Sequence, residues 1–178
     1  RFHVRGDMKN ISGLILIFIV CISLNVNADD KLDRATSIAQ ALVEYMKVFD
    51  SEGEARMLNV KMLEKTGKDT TAWLKYLAGE NSRLKSVGAV NSKFELSPSG
   101  WLFPEDRKLY AILPYSRVLE ISNHQMLIEA FFIGESEDEG KTWKYVNGAW
   151  GCDAEIIRKK LIPGYDGPLP SCKLKQLK

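Results

Sequence analysis

Apolar positions along the chain repeat first at helical spacing and then at strand spacing. From Lys31 to Asp50, Leu32, Ala35, Ile38, Ala39, Leu42, Met46 and Phe49 recur every three or four residues. This is the stripe of a long amphipathic helix. Ser51-Glu-Gly53 breaks the stripe, and Glu54 to Lys65 predicts a second helix carrying Ala55, Leu58, Met62 and Leu63. Gly67 closes that helix. Asp69 is placed to cap a third, which carries Trp73, Leu74 and Leu77 and is expected to stop at Gly79.

Past Leu84 the period falls towards two. Val87 to Leu96 predicts a strand and Ser97-Pro-Ser-Gly100 a turn. Trp101-Leu-Phe103-Pro104 predicts an apolar loop or a short edge strand. Leu109 to Ile121 is the next strand, and Pro114 points to an edge or a bulge. Ser122-Asn-His124 turns the chain into Gln125–Ile133, rich in β-branched and aromatic residues, and Trp143 to Val146 follows as another strand. Asp153 can cap a last helix, Ala154 to Leu161, before Pro163-Gly164 and a proline-rich tail. Three helices followed by about four antiparallel strands predict a single α+β domain over residues 29–178. The N-terminal helices would pack on a curved sheet, with a short C-terminal helix and tail.

The turn between the last two strands is the most specific motif. Ser136, Asp138, Gly140, Thr142 and Trp143 resemble the Asp-box, Ser-x-Asp-x-Gly-x-Thr-Trp. Gly140 can take a left-handed backbone, and Asp138, Ser136 and Thr142 can bond nearby amides. In sialidases and related propellers the box recurs once per blade and is a structural turn. A single copy implies a hairpin here, with no bearing on glycosidase activity. Glu135, Glu137, Glu139 and Gly140 loosely echo a calcium loop, but Val146 stands where that loop needs a bidentate glutamate. No metal is expected.

Arg1 to Asp7 precede Met8 and read as an upstream extension. Residues 8–28 read as a secretory signal peptide: Lys9, the apolar run Leu14 to Leu24, then small residues ending at Ala28. The run is shorter than a membrane span needs, and Val20 before Cys21 disfavours a lipoprotein site. The whole chain carries a formal charge of +2. Trimming at Ala28 removes Arg1, Arg5, Lys9 and Asp7 and leaves it neutral, which argues against nucleic acid or anionic membrane as a partner. Cys152 and Cys172 then remain, and in an exported chain they are expected to pair.

The order of elements resembles the nuclear-transport-factor-like cone, related in shape to cystatins, and exported bacterial proteins with this hairpin and a glycine-marked helix pair. Such cones host enzymes, binding modules and assembly adaptors, so the resemblance does not select a function.

Candidate chemistry is sparse. His124 is the one histidine left after trimming and falls in a predicted turn, so neither a catalytic triad nor a histidine zinc site can be built. No phosphate-cradling glycine motif and no cofactor signature is present. Arg117 is the only charge among Leu109, Ala111, Leu113, Tyr115, Leu119 and Ile121, which share one strand face by alternation. A three-residue turn would set Arg117 opposite Glu129, and a four-residue turn beside Ala130. Arg117 then reads as a structural ion pair, as a stem lying along the core with its head in water, or as a pocket-floor cation holding an anionic ligand, walled by Trp101, Phe103 and Tyr115, of which Trp101 and Phe103 read equally as ordinary core residues. The expected function is an exported, periplasmic or secreted, non-catalytic binding domain for a protein or small ligand. The alternatives are a small cone-type enzyme using carboxylates and Arg117, and a secreted inhibitor or immunity-type protein docking through Trp101–Pro104.

Overall fold

The structure is a computed structural model that describes residues 11–67, 69–148 and 153–177, with side chains from Ala28 onward. Helix α1 (Ile11–Lys47) leads to α2 (Ser51–Met57), α3 (Val60–Lys65) and α4 (Thr70–Ser86). Strands β1 (Val90–Leu96), β2 (Trp101–Glu105), β3 (Lys108–Ile121), β4 (His124–Ser136) and β5 (Lys144–Asn147) follow. Helix α5 (Ala154–Ile156) continues as a π-helical turn, Ile157–Leu161, and β6 (Lys173–Leu177) ends the described chain. The fold is α+β: N-terminal helices packed with an open antiparallel sheet of six strands. Among the described residues no helix is long and apolar enough to cross a membrane. The backbone of α1 runs unbroken from the apolar stretch of residues 14–24 into the stripe that begins at Leu32.

The long β3–β4 hairpin is the spine of the sheet. β1 pairs with residues 115–120 of β3 and β2 with residues 108–112, so the two short strands lie end to end along one edge. β5 and β6 do the same along β4. Six strands therefore occupy four positions. The spine is buried on both faces. Ala111, Leu113, Tyr115, Ala130 and Phe132 pack against Ala35, Ala39, Leu42, Val43 and Met46 of α1. Tyr110, Ile112, Phe131 and Ile133 meet Ile157, Leu161 and Ile162 of the C-terminal segment, with Met62. Double coverage explains why Gln125–Ile133 lacks clean alternation.

Several boundaries differ from those the sequence predicts. Gly53 does not break a helix. It lies inside α2, where a Cβ would come within 2.2 Å of the Tyr45 ring, so its missing side chain lets α2 approach α1. The predicted helix over residues 54–65 is split at Leu58–Asn59. Asn59 donates its amide to the Tyr145 carbonyl at 2.8 Å and caps α3 by accepting from Met62 N at 3.0 Å. Docking on β5 therefore outweighs helix continuity. Gly79 does not stop α4, which runs on to Ser86; residues 87–89, the first expected of β1, form the cap and turn that follow it, and β1 begins at Val90. A Cβ at Gly79 would meet nothing within 4 Å, so the position faces open space, and the helix tolerates the glycine's unfavourable propensity. The termination falls instead at Gly88, φ +67°. The tail contributes β6, a strand the sequence did not announce.

The turn at 136–143 closes through its own side chains. Asp138 Oδ1 accepts from the amides of Lys141 and Thr142 at 3.1 and 2.8 Å, and its Oδ2 from Thr142 Oγ1 at 2.7 Å. Ser136 Oγ accepts from Gly140 N at 2.8 Å, and Trp143 Nε1 donates to the Gly140 carbonyl at 3.0 Å. Gly140 has φ +92°, the left-handed backbone that favours glycine. Cys152 lies outside the described residues; Cys172 packs at the margin of both core clusters.

Candidate functional site

The helical layer roofs a cavity of about 140 Å³ on the α1 side of the sheet. Leu42 and Met46 of α1, Glu54 of α2 and Leu77, Asn81 and Leu84 of α4 form its walls, and Phe132, Tyr145, Asn147 and Arg117 its floor. Most of this lining is apolar. Four polar side chains, on four different elements, converge on it: Glu54, Asn81, Arg117 and Asn147.

Arg117 reaches the floor because β3 alternates. The observed hairpin pairs Ile121 with His124 across a two-residue turn, with Ser122 at φ +55°. That register differs from both anticipated ones. Arg117 stands opposite Ile128, and Glu129 faces Ser116 instead. The other neighbour of Arg117 is Phe94 on β1, whose ring centroid lies 5.8 Å from the guanidinium carbon. Among the described residues Arg117 makes no ion pair within 4.0 Å, and its Nε is buried without a hydrogen-bond partner. Burial pushes the guanidinium below its ordinary value, while Tyr115 and Glu54 act through space in the opposite direction.

Glu54 is the acid of the site. Its Oε1 accepts from Asn81 Nδ2 at 2.7 Å, and the same amide nitrogen lies 3.2 Å from Ser51 Oγ. Burial raises the Glu54 carboxyl above the ordinary carboxylate value, and Asp50 adds to the rise. The Asn81 hydrogen bond and the charge of Arg117 oppose it without cancelling it. The cavity thus holds an arginine short of acceptors and a carboxyl short of water.

Of the aromatic wall expected around Arg117, only Tyr115 is nearby. Its hydroxyl donates to Asn147 Oδ1 at 3.1 Å, and its ring packs on Phe94 and Phe132 at 5.1 and 4.6 Å, so it supports the floor from beneath. Trp101 and Phe103 belong to the cluster on the opposite face. Trp101 Nε1 donates to the Tyr165 hydroxyl at 2.7 Å, and Phe103 lies against Tyr110 and Tyr165 at 5.3 and 4.3 Å. β2 carries them away from Arg117, and they do not line its cavity.

The other acidic residues of the hairpin are engaged structurally. Glu135 accepts from Asn59 at 3.1 Å, Tyr110 at 2.8 Å and Lys108 at 3.2 Å. Burial pushes its carboxyl up, but these bonds outweigh it and hold the group below its ordinary value. Glu137 pairs with Lys61 at 3.1 Å and Lys108 at 3.0 Å. Among the described residues no three potential ligands gather to hold a metal ion. His124 is exposed at the start of β4, 3.5 Å from Gln176 Nε2.

Glu54 and Asn81 escaped the sequence reading, although a signal for each existed. Glu54 precedes Leu58 by four residues and so shares its helical face. Asn81 falls between Leu77 and Leu84 at the same period, across the glycine expected to end the helix. In comparisons with known proteins, no family model, no curated protein and no solved structure matches the chain.

Proposed function

We propose that this chain is an exported, non-catalytic binding domain, periplasmic or secreted, whose ligand site is the helix-roofed cavity at Arg117. The observation that carries the reading is the state of Arg117: a half-buried arginine lining the cavity, its Nε buried and unpaired, with no carboxylate within ion-pair distance among the described residues. A charge placed so costs stability, and an incoming acceptor would offset that cost. Export is supported by the leader pattern of residues 8–28, and in an oxidising compartment Cys152 and Cys172 form a disulfide that ties down the tail. The helix-over-sheet arrangement is compatible with the cone resemblance. The test is a thermal-shift screen of small organic acids, amides and amines on wild type and Arg117→Met. Stabilisation of wild type that the variant loses supports the site. A wild type that no compound stabilises defeats it. Fractionation and non-reducing electrophoresis test export and the disulfide.

A second reading, a small enzyme, has one observation in its favour: Glu54 has a raised carboxyl across from a cation, an arrangement suited to acid–base work on a bound ligand. Glu54→Gln separates the two readings. A binding domain keeps its ligand-induced stabilisation in this variant, whereas an enzyme loses turnover.

A further inference from the structure

The chemistry of the cavity selects a ligand class, an inference that rests on the reading of this cavity as a binding site. Its volume, about 140 Å³, is close to that of a cavity of about 150 Å³ known to take up benzene. The apolar lining, Leu42, Met46, Leu58, Leu77 and Phe132 among it, suits a ring or short branched chain of that size. The polar end of the ligand is set by Arg117, a cation that lines the cavity with no carboxylate within ion-pair distance among the described residues. A carboxylate gives an ion pair with the guanidinium, where an amide or alcohol offers the cation only a neutral acceptor.

Glu54 complicates anion binding. With Arg117 charged and Glu54 ionised, the pair is neutral overall, and a second carboxylate brought to Arg117 meets the negative charge already there. The groups that act on Glu54 are few. Asp50 at the head of α2 carries a like charge, Arg117 on β3 the opposite one, α4 offers the neutral amide of Asn81, and α1 presents Leu42 and Met46. Tyr115, also on β3, feels Glu54 but keeps its proton because burial raises its phenol. Relief of the clash therefore falls to Glu54 itself. Its carboxyl is already disfavoured as an ion by burial, and Asn81 can remain hydrogen-bonded to its carbonyl oxygen after protonation.

We infer that the cavity binds a small apolar monocarboxylate, its carboxylate on Arg117, and that Glu54 takes up one proton as the ligand enters. The balance is closed: ligand anion plus one proton from solvent gives a complex with a neutral Glu54 and an ion-paired Arg117. No bond other than O–H is made or broken. Affinity then rises as the medium becomes more acidic, roughly tenfold per pH unit between the Glu54 pKa of the complex and that of the empty protein.

Isothermal titration of the full chain with benzoate, benzamide and benzylamine tests this, at two pH values and in two buffers of different ionisation heat. Wild type is expected to bind benzoate at least tenfold tighter than the other two, with about one proton taken up per benzoate between the Glu54 pKa of the empty protein and that of the complex. Glu54→Gln should bind benzoate with no proton uptake and no pH slope. Arg117→Met should lose benzoate yet still take up toluene, which shows the variant folded and its cavity intact. Benzamide or benzylamine binding as tightly as benzoate overturns the inference and leaves the cavity a ligand site. So does benzoate binding with no proton uptake. Failure of all three probes and of toluene overturns the ligand-site reading and this inference together.

Discussion

The hydroxyl of Tyr145 on β5 donates to the main-chain carbonyl of Ala35 on α1 across 2.6 Å, with both residues sealed from solvent. This contact fastens the helical layer to the sheet beside the cavity. The ring fits because Gly134 lies beneath it: a Cβ there would come within 2.8 Å of Tyr145 and 3.1 Å of Trp143. Burial holds the phenol far above its ordinary value, so it remains a donor wherever the protein is folded. Tyr145→Phe should cost about 1 kcal/mol, the net worth of one hydrogen bond. Gly134→Ala should cost about 1–3 kcal/mol by overpacking. Urea unfolding midpoints measure both. A Tyr145→Phe variant as stable as wild type would mean that apolar contact alone docks the layer.

Gly79 offers a prediction of opposite sign. It is in mid-helix, with space for a methyl group and nothing for that group to strike. Gly79→Ala should therefore stabilise the protein by about 0.5–1 kcal/mol, through helix propensity and a less flexible unfolded chain. A fall in unfolding midpoint would show that α4 needs the glycine for a purpose other than packing.

That glycine also marks where sequence logic stopped short. The stripe of α1, the Asp153 cap, the Asp138 turn and the strand cores of β3 and β4 were all legible, because each rests on local spacing or on a side chain bonding its own backbone. The division of α2 from α3 was not, since it depends on Asn59 meeting Tyr145 from the far end of the chain. Nor was β6, whose Lys-Leu-Lys-Gln-Leu sequence has mostly exposed side chains and joins the sheet chiefly through its backbone. Arg117 was visible as the one charge on an apolar strand face. Its partners were not: Glu54 and Asn81 belong to separate helices, and only tertiary packing brings them to one cavity.

The acid response of the hairpin follows from Asp138. Its hydrogen bonds from Thr142, Ser136 and Lys141 lower its pKa from 3.8 to about 2. A depressed carboxyl contributes stability in full above its unfolded value and loses it as pH falls through the folded one. The contribution of this turn should therefore fade between roughly pH 4 and pH 2. Asp138→Asn should lower stability at neutral pH and flatten the acid limb in that window. Thermal melts at half-unit pH intervals would reveal it. An acid limb unchanged in the variant would remove Asp138 from the account.

Trp101 separates packing from docking. It is half-buried, bonded to Tyr165 and set in the cluster that seals the C-terminal segment on the sheet. Trp101→Ala should cost about 3 kcal/mol, as expected for a large aromatic in a core. Trp101→Phe should cost about 1 kcal/mol for the lost donor. If Trp101→Ala instead leaves the unfolding midpoint unmoved, the ring is not core, and the inhibitor reading that uses it as a docking residue regains force.

Arg117 and Glu54 together predict how stability of the empty protein varies with pH. The folded pKa of Glu54 lies above its ordinary value of 4.5, so the folded state holds the proton more tightly than the unfolded chain. Stability is then greatest below the unfolded value and declines as pH rises through the folded one. Glu54→Gln should remove this slope and leave the Asn81 hydrogen bond in place. Arg117→Met removes a cation with no ion-pair partner among the described residues, and at acid pH, where Glu54 is neutral, the variant should be more stable than wild type by about 1 kcal/mol. The same substitution deprives ionised Glu54 of the charge that opposes its rise. The gain should therefore shrink as pH increases and the Glu54 proton leaves. Denaturant melts across pH 4–8 would trace both curves. Destabilisation of Arg117→Met at every pH would identify the arginine as a member of the structural core, and the ligand site proposed around it would fall.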